Sequence, residues 1–428
     1  MEGPSIAIIG GGCSGALAAL HLLRSQVSVR VHLIEPRAAA GAGLAYSTDC
    51  SHHLLNVPAC GMSIFPDAPG DFVEWLGGGA DPHGFAPRAV FGRYIADRLE
   101  AACRQRRILV RHQAEALDIE REGERAIIHL NDGRRVEAGF VILALGNFPR
   151  AMNGLEPAWK PGALEVRDPD SSMALAGSGL TAVDAFVALR AKGHRGLVHM
   201  ISPRGLAPQA HASHKPAALA LRWKPDKLRE LVREVRERAA QEGTDWRDVI
   251  ASLRPVTDEL WQSLPPADRA RFFRHVKAYW DVHRHRMAPQ IASMIEEARR
   301  NGNLRVHAGR IQRIAPGTDR LDVDVRLRSQ GRLRLRVERA INCTGTEQDY
   351  RRVDSPLLRT LFRKGWLTPN ALGTGVRTTE SGAILDWLYA LGPMRIGGLL
   401  ETTAVPEIRV QAAELAVALL AERSAVAA

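Results

Sequence analysis

The chain has 428 residues with 45% hydrophobic, 25% charged and only 5% aromatic content, which suits two packed domains of ~100 to 200 residues and excludes a disordered or fibrous architecture. No apolar run approaches the ~18 residues of a membrane-spanning helix, and Met1 to Pro4 lack the basic stretch that opens a secretory signal, so a soluble, cytoplasmic protein with no membrane partner is expected. The net charge of +11 is spread without a dense block, which favours phosphate-bearing small molecules over nucleic acid; Cys13, Cys50, Cys60, Cys103 and Cys343 form no CxxC and no metal-ligand spacing, which leaves neither a dithiol redox pair nor a metal site.

In chain order, Ile6 to Ile9 is a short apolar strand that runs into Gly10-Gly-Gly-Cys-Ser-Gly15, then a helical pattern from Ala16 to Arg24 and a second strand, Val29 to Ile34. Gly10, Gly12 and Gly15 have GxGxxG spacing, with Cys13 and Ser14 between the second and third. The first glycine permits the tight turn, the second lets a pyrophosphate approach the backbone, and the third allows helix to pack closely on strand. Glu35 follows the second strand, where a carboxylate accepts hydrogen bonds from ribose hydroxyls. Strand, turn, helix and acid in register predict a dinucleotide site. Ala126 to Leu130, the turn Asn131-Asp-Gly133 and Arg135 to Val136 predict a hairpin leading into a buried strand, Phe140 to Leu145, closed by Gly146.

A second copy begins with Met173 to Ala176 and continues as Gly177-Ser-Gly-Leu-Thr-Ala182, of GxGxxA form, with Gly177, Gly179 and Thr181 as its contact residues and a helix to about Lys192. The strand Leu197 to Ile201 ends in Ser202-Pro-Arg204 instead of an acid. A carboxylate there repels a 2'-phosphate, whereas Ser202 and Arg204 bind one, so this site is suited to NADPH; a plain surface role for Arg204 is the alternative. From Lys224 to Arg300 the composition turns helical (Lys227 to Gln241, Thr244 to Leu253, Asp268 to Arg300), predicting an insertion at about residues 211–300. Leu321 to Arg328, Ser329-Gln-Gly331 and Leu333 to Val337 repeat the hairpin before Ala340 to Gly345, and Ile408 to Arg423 is apolar at helical spacing. The repetition argues for two related nucleotide-binding domains.

Gly41-Ala-Gly-Leu-Ala-Tyr-Ser-Thr48, Leu55-Asn-Val-Pro-Ala59, Met62-Ser-Ile-Phe-Pro-Asp67, Phe85-Ala-Pro-Arg88, Tyr279-Trp-Asp-Val-His-Arg-His-Arg286 and Thr403-Ala-Val-Pro-Glu-Ile-Arg409, together with both glycine turns, resemble a bacterial family of FAD/NAD(P)-binding proteins, over almost the whole chain. These are two-dinucleotide-domain flavoproteins related to N-hydroxylating and class B flavin monooxygenases. The resemblance implies an α/β fold with two Rossmann-like domains: an FAD domain at 1–165 and 346–428, and an inserted NAD(P)H domain at 166–345 carrying the helical insertion. It implies that Gly10, Gly12, Cys13, Ser14, Gly15, Glu35 and Gly146 hold FAD, that Asn56 to Met62 run beside the flavin ring, and that Thr403, Ala404 and Val405 bring a helix N-terminus to it. Capping roles for Asn56 and Thr403 stay open.

For substrate, the sequence offers Arg88 in a loop and the run Asp281 to Arg286. Each reads either as a clamp for a substrate anion or as ion pairing on a solvated face, and positions 281 and 285, or 282 and 286, share a face if the segment is one helix. Asn56, Arg88 and Arg286 are the candidate catalytic residues; His211 and His214 are too isolated for a metal. The implied activity is an FAD-dependent, NADPH-using oxidoreductase, a monooxygenase passing oxygen from a hydroperoxyflavin to N or S of a small anionic metabolite. A flavin reductase without oxygen transfer and a non-enzymatic redox sensor are the alternatives.

Overall fold

The computed structural model describes residues 5–25, 27, 29–105, 108–212, 223 and 227–426; His214 lies outside them. β1 (Ser5–Ile9), α1 (Cys13–Arg24) and β2 (Arg30–Ile34) form the expected unit, with extended Gly12 as the helix N-cap. α2 (Gly43–Tyr46), α3 (Asp71–Leu76) and α4 (Arg88–Gln105) have no counterpart in the sequence reading. The first two are too short for a periodic pattern to register. β3 (Leu109–His112) precedes a three-stranded antiparallel meander of β4 (Ala116–Glu122), β5 (Arg125–Leu130) and β6 (Arg135–Ala138). The predicted turn closes β5 to β6, with Gly133 at φ 84°, and β7 (Phe140–Leu143) follows as the expected buried strand.

The chain then passes through β8 (Glu156–Pro157), β9 (Met173–Ala176), α5 (Leu180–Ala191) and β10 (Val198–Ser202). Next come α6 (Leu228–Ala239), α7 (Trp246–Leu253), α8 (Thr257–Ser263), α9 (Pro266–Arg271), a π-helical turn at Phe272–Val276, α10 (Lys277–Arg284) and α11 (Pro289–Arg300). β11 (Leu304–Pro316), β12 (Leu321–Leu327), β13 (Arg332–Val337), β14 (Arg339–Asn342), α12 (Pro356–Arg363), β15 (Leu388–Ala390) and α13 (Val405–Val426) complete it. One sheet has the order β15-β7-β1-β2-β3 and is parallel throughout. The other runs β13-β12-β11-β10-β9-β14-β8. Because β15 returns to pair with β7, the whole second sheet is inserted between two neighbouring strands of the first.

The single helix expected over Asp268 to Arg300 does not form. Pro289 opens α11, and the residue before a proline is driven to extended backbone, as Ala288 is at ψ 143°. Residues 285–288 instead run beside 209–211, where the Met287 amide donates to the Gln209 carbonyl at 2.8 Å and the His211 amide to the Met287 carbonyl at 2.9 Å. Arg286 is therefore off the helix, and the shared face of positions 282 and 286 does not exist.

Duplication of the two units is visible beyond the glycine turns. In the first sheet His32 of β2 stacks on His112 of β3, with Nδ1 3.0 Å from Nε2. In the second, His199 of β10 stacks on His307 of β11 at the same 3.0 Å. Register is also the same: Ile34 faces His112, and Ile201 faces His307, each two residues beyond the first histidine. Burial, and then the partner ring, hold His32 and His199 down at about 4, below the usual 6.5. These rings bind a proton near pH 6.5 when the chain is unfolded but only near pH 4 when folded. Stability is therefore intact above about pH 6.5 and falls as pH drops toward 4. Thermal unfolding across that window is expected to show a falling Tm, less steep in His32→Asn/His199→Asn; an unchanged slope in the double variant removes these pairs as the cause.

Candidate functional site

Each glycine of the first turn answers to a different contact. Gly10 sits at φ 100°, and a Cβ there would lie 2.4 Å from the Ala144 carbonyl oxygen; one at Gly15 would lie 1.8 Å from the Gly10 oxygen. At Gly12 the nearest atom to a Cβ is Gly43 Cα at 3.3 Å, followed by the Arg37 guanidinium at 4.0 Å, a close contact that a small shift would relieve. Cys13 and Ser14 form the first turn of α1, which carries no acidic side chain and so presents its amides and dipole to an anion. Burial pushes the Cys13 thiol up to about 12, far from a reactive thiolate. Glu35 is 4% exposed and accepts from the Gly11 amide at 2.8 Å. Arg37, which sequence reasoning did not single out, folds back on it with Nε 2.7 Å from Oε1. Gly146, at φ 71° with open space where a Cβ would stand, carries a carbonyl that accepts from the Tyr350 hydroxyl at 3.1 Å.

The second turn repeats this geometry. Gly177 sits at φ 127°, and its Cβ would lie 2.2 Å from the Cys343 carbonyl oxygen, the counterpart of Ala144; Gly179 borders open space and N-caps α5, whose first turn, including Thr181, again lacks an acid. The Ser202 hydroxyl is hydrogen-bonded to that of Ser178 at 2.7 Å and accepts from the Gly205 amide at 3.1 Å. Arg204 donates to the Arg274 carbonyl at 3.0 Å and lies over the Tyr279 ring.

Both units open on one cleft of about 1040 Å³. From the first unit come Asn56, Met62, Asn147, Thr403, Ala404 and Val405; from the second come Gly177, Gly179, Thr181, Ser202 and Arg204. The Asn56 backbone carbonyl accepts from His211 Nε2 at 2.9 Å, which places a proton on Nε2; burial holds the ring's pKa down at about 4, against the pull of this bond. Arg150, Lys277 and Arg310 also line the cleft. The sequence held no signal for Arg310, one of several arginines on β11; it is the register of Ala308 beside Ser202 that brings it to the end of β10.

The substrate candidates are placed differently from their expectation. Arg88 lines the cleft, but its Nη2 pairs with Asp184 at 2.9 Å and its Nε donates to the Leu54 carbonyl at 3.1 Å. This is the ion-pair alternative, joining α4 of one unit to α5 of the other. Asp281 pairs with Lys277 at 2.6 Å, and Arg284 with Glu401 at 3.3 Å and Glu407 at 3.4 Å. His285 faces the cleft and burial holds its pKa down at about 4. Arg286, 7% exposed, lies against the Trp246 ring and not in the wall of the cleft, because the helix ends at Arg284. Among the described residues no group of three or more His, Cys, Asp or Glu is placed to hold a metal, all five cysteines are free, and no helix is long and apolar enough to cross a membrane.

Residues 7–148 match a family model described as FAD-NAD(P)-binding. No curated protein matches the chain in sequence. Among solved structures, the ornithine N-hydroxylase of Kutzneria sp. 744 superposes with a TM-score of 0.67 at 14% identity, covering 99% of this chain and 100% of the other. The cadaverine monooxygenase of Erwinia amylovora gives 0.67 at 10% identity over 97% and 94%. The bacillithiol disulfide reductase of Bacillus cereus gives 0.57 at 14% identity over 98% and 99%. The chain thus has the fold of the two-dinucleotide-domain flavoproteins, with an FAD-NAD(P)-binding family domain over residues 7–148.

Proposed function

We propose that the protein is an FAD-dependent, NADPH-using oxidoreductase that oxygenates N or S of a small anionic metabolite. The observation that carries this reading is one cleft shared by the two duplicated units, lined by the second glycine turn and, from the first unit, by Asn56, Met62 and the N-terminus of α13, an arrangement that would let two nucleotide cofactors meet. We divide the chain accordingly into an FAD domain at 1–165 and 346–428 and an NADPH domain at 166–345. The residues fit the cofactors: Gly179 has open space where a Cβ would stand, Gly12 brings no side chain to the turn, and each lies at the N-terminus of an acid-free helix turn that can take a pyrophosphate. Gly10, Cys13, Ser14, Gly15 and Gly146 shape the FAD site, and Glu35 holds the adenosine ribose once half-exposed Arg37 swings out. Asn56 and Met62 flank the flavin ring. The N-terminus of α13, at Thr403, Ala404 and Val405, stabilises negative charge there. Gly177, Thr181, Ser202, Arg204 and Arg310 hold NADPH, the two arginines taking its 2'-phosphate.

The chemistry a bound FAD would supply is two-electron redox with NADPH and activation of oxygen. The chain's own part is positioning and exclusion of water. His285, neutral by burial, and Arg150 present a hydrogen-bonding group and a cation to a substrate. Arg88 acts through Asp184 as a positioning residue. The ornithine and cadaverine hydroxylating relatives in fold support an amine as the oxygen acceptor.

The test is anaerobic reduction of the flavin-loaded protein by NADPH or NADH, followed by oxygen and a panel of small amines and thiols bearing a carboxylate. NADPH is expected to be preferred, and Arg204→Ala to raise its KM about tenfold with little change for NADH, since a charge-assisted contact contributes ~1.5 to 3 kcal/mol. Equal losses for both cofactors return Arg204 to a structural role. Hydrogen peroxide accounting for all NADPH oxidised, with every compound, replaces oxygen transfer by the reductase reading.

A further inference from the structure

The helical segment between β10 and β11 encloses a second cavity, of about 520 Å³, that the redox reading does not use. Its walls are apolar faces of α6 (Val235), α7 (Ile250, Leu253) and α10 (Trp280), and Trp261, 2% exposed, closes its inner end. Among the described residues no Asp or Glu lines it. Basic side chains do, and two of them, Arg236 and His275, are exposed and stand at the mouth. Water is held poorly in such a space, because an ordered molecule needs two to four polar partners. A dry void of that size forfeits packing contacts in proportion to its volume. Its volume lies within the roughly 300 to 1,000 Å³ of small-molecule sites, which are likewise mostly apolar with a few placed polar groups.

α10 is a wall shared with the cleft. Val276, Tyr279, Trp280 and His283 face the cavity, while Lys277, Ala278, Asp281 and Val282 face the cleft. The spacing of three and four residues within each set is that of two faces of one helix. The helix is entered through the π-helical turn Phe272–Val276, a local irregularity frequent at functional sites.

We propose that this cavity binds a small amphipathic anion, distinct from the molecule oxidised in the cleft: an aliphatic or aromatic body among the tryptophans, with a carboxylate or similar anionic end at the mouth beside Arg236 and His275. Apolar walls select the body, and the lack of any acid among the described lining residues, together with Arg236 and His275, selects the sign of the head. α10 is a wall common to the cavity and the cleft, so a molecule in the cavity is expected to act on the reaction through the position of that helix.

The test uses the full chain and two probes, dodecanoate and 2-naphthoate, in calorimetric titrations at two temperatures. One saturable site per chain is expected for at least one probe, with a negative heat-capacity change, the mark of apolar burial. Val235→Trp fills the space and is expected to weaken binding at least tenfold. Ala239→Leu, a smaller intrusion from the same helix, serves the same purpose if the first variant does not fold. Arg236→Ala is expected to weaken dodecanoate at least fivefold and to leave dodecanol unchanged. The probe should be recovered unaltered after NADPH oxidation. No saturable binding of either probe, equal affinity in the folded filled variant, or oxygenation of the probe each overturns the proposal. All of these readouts except the last are independent of redox activity, so failure of the oxidoreductase reading leaves them standing.

Discussion

Arg88→Ala is expected to lower the free energy of unfolding by about 3–5 kcal/mol, the loss typical when one partner of a buried ion pair is removed. The pair qualifies as buried, with side-chain exposures of 13% for Arg88 and 10% for Asp184. Burial already raises the Asp184 carboxyl above its ordinary range, against the pull of Arg88 and then His53. Without the guanidinium the carboxylate faces its desolvation cost nearly alone, and it sits where the two nucleotide-binding units meet. The His53 ring stays behind, but it is bonded to the Asp184 backbone carbonyl at 2.9 Å and to Thr48 at 2.8 Å and not to the carboxylate. Arg88→Ala/Asp184→Asn, which removes both charges, should recover most of the loss. Denaturant titrations of the two variants check this. A single variant as stable as the wild type, yet with uncoupled NADPH oxidation, would instead make Arg88 a substrate clamp.

Gly12→Val is expected to cut bound FAD to below a tenth of the wild-type content while leaving the chain folded. A Cβ at this position needs only a few tenths of an ångström from Gly43, yet it projects into the room a pyrophosphate would occupy beside the α1 amides. Gly15→Ala makes the contrast, since its Cβ would collide with the Gly10 carbonyl oxygen at 1.8 Å and the helix would have to leave the strand. The first variant should lose flavin absorbance and keep its cooperative melt; the second should lose the melt as well. Full flavin content in folded Gly12→Val places the cofactor elsewhere.

The sequence by itself determined the parts that rest on local terms. Both glycine turns, the strands that enter them, the helices that leave them, the two hairpins and the C-terminal helix stand where the pattern put them. A positive φ, an alternating burial of side chains and a period of 3.6 residues are each written in a few neighbouring positions. The inserted sheet was reached through family resemblance and is confirmed in topology by the return of β15 to β7. Only the tertiary structure decided which charges meet. Arg88 and Asp184, or Arg284 and Glu401, are brought together by elements far apart in the chain, and the same residues on a solvated helix would read identically. Pairing of residues 285–288 with 209–211 took Arg286 out of its expected helix and away from the cleft, and strand register alone carried Arg310 to it and stacked His199 on His307. The apolar cavity likewise comes from α6, α7, α8 and α10, whose patterns each announce only a buried face. A one-dimensional pattern records that a side chain is buried, and the packing of distant segments chooses what it is buried against.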